Sequence, residues 1–275
     1  MFLGYRKTLG RLLALLSLGF GVIIAENSDR ALFFPADVKI CSTKDTNYNT
    51  CFTESANQML KHLIQGLRIL NAVPIDPLNI PLISIAKNNS FVPTLAFNCT
   101  NVTFEGWKDA VVLRSEINPK DNDFHMVIKI PRYVMRCLYD VTGSIVGIPL
   151  EGSGNLTSIF YNFTNDMHLR GHQKGRNGQE FLVIDDFVQK SLIDQVHFNL
   201  SNVFNDANRT EITNRLLNLN SKAVVQAGIG IIDHVWGRIH GGLMQKIFDK
   251  VPYRAMFPDL DSAPTAVDDK DEEER

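Results

Sequence analysis

The segment from Thr210 to Lys250 contains no proline, and its apolar residues recur at helical spacing over many turns. One row runs Leu217, Val224, Gly228, Ile231, Val235, Ile239, Leu243 and Ile247, and a second holds Val225, Ile229, Ile232 and Trp236. Only Lys222, Gln226, Gly230, Asp233 and Gly237 remain for a wet stripe. A helix apolar around most of its circumference must be nearly enclosed. The chain offers no second long helix, so the enclosure has to be a sheet. Asn208 with Glu211 three residues later provides a capping box for its start. The glycines on this helix permit either a kinked helix or close approach to the sheet, with room for something else.

Strands for that enclosure lie between residues 91 and 200. Phe124, Met126, Ile128 and Ile130 alternate with His125, Val127 and Lys129. Ile159, Tyr161 and Phe163 alternate with Phe160, Asn162 and Thr164. Turn signals at Asn118–Asn122, Glu151–Asn155 and Lys174–Gly178 separate long antiparallel runs. Upstream, Met59, Leu60, Leu63, Ile64 and Leu67 mark an amphipathic helix within Ser55–Leu70, which Pro74, Pro77 and Pro81 end. The expected class is therefore α+β, with an antiparallel meander around one long C-terminal helix.

The chain ends point to export. Arg6, Lys7 and Arg11 precede an apolar run ending at Ala25, the pattern of a secretory signal peptide over residues 1–25 and too short for a spanning helix. Residues 26–260 then form a single domain, and 261–275 form an acidic disordered tail. Four cysteines, Cys41, Cys51, Cys99 and Cys137, suit an oxidising compartment and allow three pairings. Closeness favours Cys41 with Cys51, which leaves Cys99 with Cys137. Seven N-x-S/T sequons start at Asn88, Asn98, Asn101, Asn155, Asn162, Asn199 and Asn208. Asn98 and Asn101 flank Cys99 and are not both expected to be modified. The candidate glycosylation sites are therefore Asn88, Asn101, Asn155, Asn162, Asn199 and Asn208. Localisation is expected to be extracellular, with no stable membrane anchor.

Signatures of catalysis are missing. No G-x-S-x-G, H-E-x-x-H or Walker-type loop occurs in the sequence. His168 and His172 have the nearest metal-like spacing, but an exposed polar pair is the simpler reading. His234 and His240 lie on the long helix with no acidic or thiol partner at fixed spacing, and Asp185–Asp186 lacks a calcium-loop pattern. No metal, cofactor or enzymatic activity is expected. With a formal charge of −2, six acids against two bases in the last eight residues, and no basic stretch in the body, nucleic acid is excluded as a partner.

Five motifs in order carry a resemblance. They are Cys41 and Cys51 before a helix; Ile75 to Pro81 with Asp76, Pro77 and Leu78; Tyr139, Gly143, Ile145, Ile148, Pro149, Leu150, Gly152 and Gly154; Leu200, Val203, Phe204 and Asn205; and Val251, Pro252, Tyr253, Phe257 and Pro258. Together they make the chain similar to the insect takeout and haemolymph juvenile-hormone-binding protein family, from about Pro35 to Pro258. The resemblance implies a highly curved antiparallel sheet wrapped around the long helix, and a secreted carrier with a terpenoid or fatty-acid-like ligand in an internal apolar tunnel. Roles in hormone transport, feeding, clock output and chemosensation come with the family. The extra pair Cys99 and Cys137, the stretch Leu217–Lys222 where many members place a tryptophan, and the acidic tail favour a takeout-like member over a dedicated hormone binder.

On that reading the tunnel wall comprises Met126, Ile128, Ile130, Ile159, Tyr161 and Phe163 from the sheet, and Val224, Ile231, Val235 and Leu243 from the helix. Tyr161 is the expected polar handle, because a buried phenol seeks a partner. The partner is a small hydrophobic ligand, with a receptor left open and a monomer as the expected state. Two other readings stand beside it: a lipid-transfer or membrane-contacting protein of the same fold, and a glycosylated interaction protein with a solid core.

Overall fold

A computed structural model describes residues 33–260, so the leader and the acidic tail lie outside the described residues. Helix α1 (Tyr48–Ile64) is followed by strands β1 (Leu78–Ile85), β2 (Leu95–Glu105), β3 (Val111–Asn118), β4 (Asp123–Ile145), β5 (Ile148–Arg176), β6 (Gln179–Leu192) and β7 (Gln195–Leu200). Three helices complete the chain: α2 (Ala207–Leu219), α3 (Ser221–Phe248) and the short α4 (Tyr253–Met256). The seven strands form one antiparallel sheet in the order β1-β2-β4-β5-β6, with β3 on β4 and β7 on β5. The sheet is curved and does not close into a barrel.

Two strands organise everything else. At 23 and 29 residues, β4 and β5 run the length of the molecule, paired from Asp123↔Arg170 to Ile145↔Ile148. One half of this ribbon carries β2 and β7, and the other carries β3 and β6. Between the halves, Pro131 faces Asn162. Pro131 has no backbone donor, and Asn162 is left-handed at φ 50°. The inward parity of both strands changes there. On β4 the buried positions pass from Ile128 and Ile130 to Tyr133, Cys137 and Tyr139. On β5 they pass from Leu156, Ser158 and Phe160 to Phe163, Asn165 and Met167. Opposed irregularities keep the register while swapping faces, and they bend the ribbon around the helix.

The turn between β4 and β5 lies at Val146–Gly147, so Glu151–Asn155 is strand and not the expected hairpin tip. The glycines of that segment serve a close approach. Gly152 has φ 143°, and a Cβ there would lie 2.6 Å from the Asn202 carbonyl oxygen.

The C-terminal helical region also differs from expectation, because it is two helices broken at Asn220. Its cap is Asp206, whose carboxylate accepts from the Arg209 amide at 2.8 Å, in place of the expected Asn208 box. The asparagines of α2 hold it to β7. Asn214 bonds both backbone groups of Leu200 (2.9 and 2.8 Å), and Asn218 both those of Phe198 (2.7 and 2.9 Å). Four residues of helix advance ~6 Å and two residues of strand ~6.6 Å, so the amides match every second residue of β7. Helix α2 thus takes the place of a further strand along that edge.

Helix α1 does the same at β3. Asn57 exchanges two bonds of 2.9 Å with Val112, and Asn49 Oδ1 accepts from the Ile117 amide at 3.0 Å. On β6, Gln245 of α3 accepts from the Ile184 amide and donates to the Leu182 carbonyl, while Asp233 accepts from Ser191. Burial raises the Asp233 carboxyl above its ordinary range, against the lowering effect of the Ser191 bonds.

Helix α3 rests on β6, and two of its five glycines, Gly230 and Gly241, admit close neighbours. A Cβ on Gly230 would lie 2.5 Å from the Phe91 ring, and one on Gly241 3.2 Å from Phe187. Phe91 covers the middle of the expected wet stripe, so the exposed line continues through His234, Arg238, Gly242 and Lys246. Many apolar residues of this helix, among them Ile229, Ile232, Val235, Ile239 and Leu243, are only half-buried. Two disulfides are formed, Cys41–Cys51 with Cα atoms 5.8 Å apart and Cys99–Cys137 at 5.6 Å.

Candidate functional site

Helix α1 turns one face, Phe52, Ala56, Met59, Leu60 and Leu63, toward the C-terminal half of α3. Between them lies a cavity of about 520 Å³. The far wall is His240, Leu243, Met244 and Ile247 of α3, and the floor is Leu78, Val112, Met126, Ile128 and Met167 of the sheet with Trp107. Phe34, Val38 and Ile40 before α1, and Leu70 to Val73 after it, complete the enclosure. The Cys41–Cys51 disulfide ties the first of these segments to the start of α1. Lys39 and Lys246 are the charged residues of the lining, and both are exposed. Such a space is of the size and polarity that takes a small lipophilic molecule.

The inner end of the cavity meets a packed aromatic cluster. Tyr133 stacks on Phe163 (5.4 Å between centroids) and on Phe104 (5.5 Å), and Trp236 meets Phe104 edge-on at 4.4 Å. Trp107 donates from Nε1 to the Tyr133 hydroxyl at 3.3 Å, and burial pushes that phenol well above its ordinary value. His240 lies between the indoles of Trp236 (4.9 Å, 24°) and Trp107 (5.4 Å, 83°). Burial lowers its pKa to about 3, so the imidazole is neutral at physiological pH.

Of the expected wall, Met126, Ile128 and Leu243 lie in the lining. Ile130 and Phe163 are buried in the core beside the aromatic cluster, and Val224 and Ile231 pack into that core further along α3. Val235 is half-buried against it. Ile159 and Tyr161 flank inward-facing Phe160, which puts both on the opposite face of the strand, and Tyr161 is 37% exposed. The parity change at Asn162 is the reason: alternation read straight through it assigns one side of the break to the wrong face. Tyr161 is therefore not the buried handle expected of it. The α1 face was legible in the spacing of Met59, Leu60 and Leu63 but carried no assignment to the cavity. The spacing of His240 gave it no partner in the sequence and no place in the cavity.

His168 and His172 face outward, each with its own carboxylate, Asp123 at 2.7 Å and Asp185 at 2.8 Å. Burial raises the Asp123 carboxyl, but the His168 and Arg170 hydrogen bonds outweigh it and hold the group below its ordinary value. Among the described residues no group of three or more His, Cys, Asp or Glu is placed to hold a metal ion. No described helix is long and apolar enough to cross a membrane. The sequon residues Asn88, Asn98, Asn101, Asn155, Asn199 and Asn208 are exposed, whereas Asn162 is half-buried and donates to Asp194 at 2.8 Å.

The family model for haemolymph juvenile hormone binding protein (JHBP) matches residues 15–258, most of the chain and all but the last two of the described residues. The chain belongs to this family. Among curated proteins it is similar to the circadian clock-controlled protein daywake of Drosophila yakuba, 20% identical over 88% of this chain and 95% of that one. The Drosophila melanogaster daywake is 21% identical over 82% and 88% of the two chains. Among solved structures, Takeout 1 of Epiphyas postvittana superposes with a TM-score of 0.68 at 19% identity, covering 78% of this chain and 97% of that one. At such identity the likeness shows the fold, the curved sheet with its C-terminal helix. Two of the motifs that carried the resemblance hold neighbouring segments together. Asp76, in the proline-bearing connector, accepts from the Gly106 and Lys108 amides (3.2 and 2.8 Å), and Tyr139 donates to the Ser201 carbonyl at 2.6 Å.

Proposed function

We propose that this member of the juvenile-hormone-binding family is a secreted, non-enzymatic carrier that takes one small lipophilic molecule into the cavity between α1 and α3. The observation that supports the reading most is the cavity itself, about 520 Å³ and lined almost wholly by apolar side chains inside a disulfide-tied domain. Removing apolar surface from water is worth ~25 cal/mol per Å², which needs enclosure and no reactive group. By comparison with a ~150 Å³ cavity that holds benzene, this volume suits a ligand of roughly 20 heavy atoms. A terpenoid or a fatty-acid-like chain has that size.

The test is native mass spectrometry of the protein secreted from insect cells and deglycosylated, followed by solvent extraction. A stoichiometric adduct of a few hundred daltons that leaves with solvent is expected. Ala56→Trp, which projects an indole into the cavity from α1, is expected to lose that adduct while remaining folded. A bare wild-type protein that takes up no lipid would replace the carrier by a glycosylated interaction protein.

A hand-over of ligand at a membrane surface is the second reading. Ile69, which precedes the Leu70–Val73 rim of the cavity, and Val73, which ends it, are 47% and 55% exposed and would enter a lipid interface. Flotation with neutral vesicles, lost in Ile69→Ser with Val73→Ser, would support it.

A further inference from the structure

Helix α2 exposes three large apolar side chains on one face, Ile212 (58%), Leu216 (41%) and Leu219 (73%). Its other side is spent on the fold: Thr213 and Leu217 are buried, and Asn214 and Asn218 bond β7. An exposed apolar stripe on a secreted protein calls for cover. The sequence supplies a candidate. Asn208, with Thr210 two residues on, is a sequon in the first turn of the same helix, and its side chain is exposed. Asn208, Ile212 and Leu216 are four residues apart, so they form one row along the helix. From Asn208 to Leu216 that row advances ~12 Å. The other sequons are placed differently. Asn88 lies between strands, and Asn98, Asn101, Asn155, Asn162 and Asn199 lie within them, so Asn208 is the one sequon asparagine on a helix.

Resting on the secreted part of the reading above, we propose that Asn208 carries an N-linked oligosaccharide whose first sugars lie along Ile212 and Leu216 and take this face out of water. The new bond joins Asn208 Nδ2 to the anomeric carbon of an oligosaccharide that the secretory pathway supplies as a lipid-linked diphosphate. The sugar–phosphate bond breaks, the diphosphate leaves with the electron pair, and the amide nitrogen gives up one proton. A pyranose suits the surface, because its C–H face is apolar while its hydroxyls lie at the rim. Arg215, exposed beside the row, offers donors to those hydroxyls. A second copy of the chain or a lipid surface would need the face bare, and the sugar excludes both.

The experiment uses the full chain secreted from insect cells. Glycopeptide mass spectrometry of wild type is expected to find sugar on Asn208 in most molecules. The cover is read as retention on a hydrophobic-interaction column, which senses the outer surface and not the cavity. Wild type is compared with Asn208→Gln, with Ile212→Ser plus Leu216→Ser, and with all three substitutions together. Asn208→Gln is expected to lengthen retention. The two serines are expected to shorten it strongly in the Asn208→Gln background and little beneath the sugar, a coupling that independent sites do not show. Asn208 found bare in the secreted protein would overturn the proposal while leaving the carrier reading intact. Equal effects of the serines in both backgrounds would overturn it too, since the sugar then points away from the helix. The occupancy measurement stands even where a variant fails to fold. A chain that is not secreted would bring down the secreted reading itself, and this proposal with it.

Discussion

His240 makes the stability of the fold depend on pH. In the unfolded chain its imidazole takes up a proton around pH 6.5, but in the folded protein only near pH 3. Between those values the unfolded state binds the extra proton. The stabilisation is thus fully present above pH 6.5 and is lost progressively as pH falls toward 3. The slope approaches ~1.4 kcal/mol per pH unit, or about 2 kcal/mol between pH 6.5 and pH 5. Urea unfolding at those two pH values is expected to show this loss in wild type and to show it reduced in His240→Phe. Asp233 carries the opposite sign: its raised pKa costs stability once pH exceeds that value, so Asp233→Asn is expected to gain stability at pH 7 and to lose the advantage in acid. Asn162 has a conformational role. At φ 50° it tolerates a left-handed backbone that a β-branched residue resists, so Asn162→Val is expected to cost ~1–2 kcal/mol, measured by thermal melts, and Asn162→Gly little.

Helices and sheet edges are matched through amide side chains. An open sheet of this length leaves rows of unbonded peptide groups, and such rows recruit other chains. Here Asn57 of α1, Asn214 and Asn218 of α2, and Gln245 of α3 each bond both a donor and an acceptor of a neighbouring strand. Replacing Asn214 and Asn218 together by Ala is expected to cost about 1–3 kcal/mol and to expose the β7 edge. Denaturation midpoints and light scattering read the two effects separately. These contacts were not visible in the spacing of the chain, since an asparagine four residues from another is as readily solvated as docked. The curvature of β4 and β5 was equally hidden, because Pro131 and Asn162 lie in different strands and only pairing sets them opposite one another.

At the scale of the molecule, the two ends of the roll do different work. The half carrying β2 and β7 is filled, with the aromatic cluster and the Val224, Val225 and Ile231 face of α3 as its core. The half carrying β3 holds the cavity, closed by α1 and by the segment that the Cys41–Cys51 bond anchors. Removing that bond with Cys41→Ser and Cys51→Ser is expected to cost about 2–4 kcal/mol. It is also expected to speed ligand loss, because Cys41 lines the cavity. Stopped-flow transfer of a fluorescent fatty acid, compared with thermal melts, separates the two effects.

The sequence by itself determined most of the elements, though not the break at Asn220 or the strand through Glu151–Asn155. The periodicity within Thr210–Lys250 demanded an enclosed helix, the alternation of residues 124–130 marked a strand, and five ordered motifs carried the family. Those signals are local, because a helix face and a strand face are each fixed by the chain's own repeat. What the tertiary structure decided was where the roll is filled and where it is hollow. Leu243 and Val224 belong to the same apolar row of one helix, yet the first lines a cavity and the second is packed core. Burial against protein and burial against a ligand select the same side chains. Only the bend at Pro131 and Asn162, and the place where α1 docks, set the two apart.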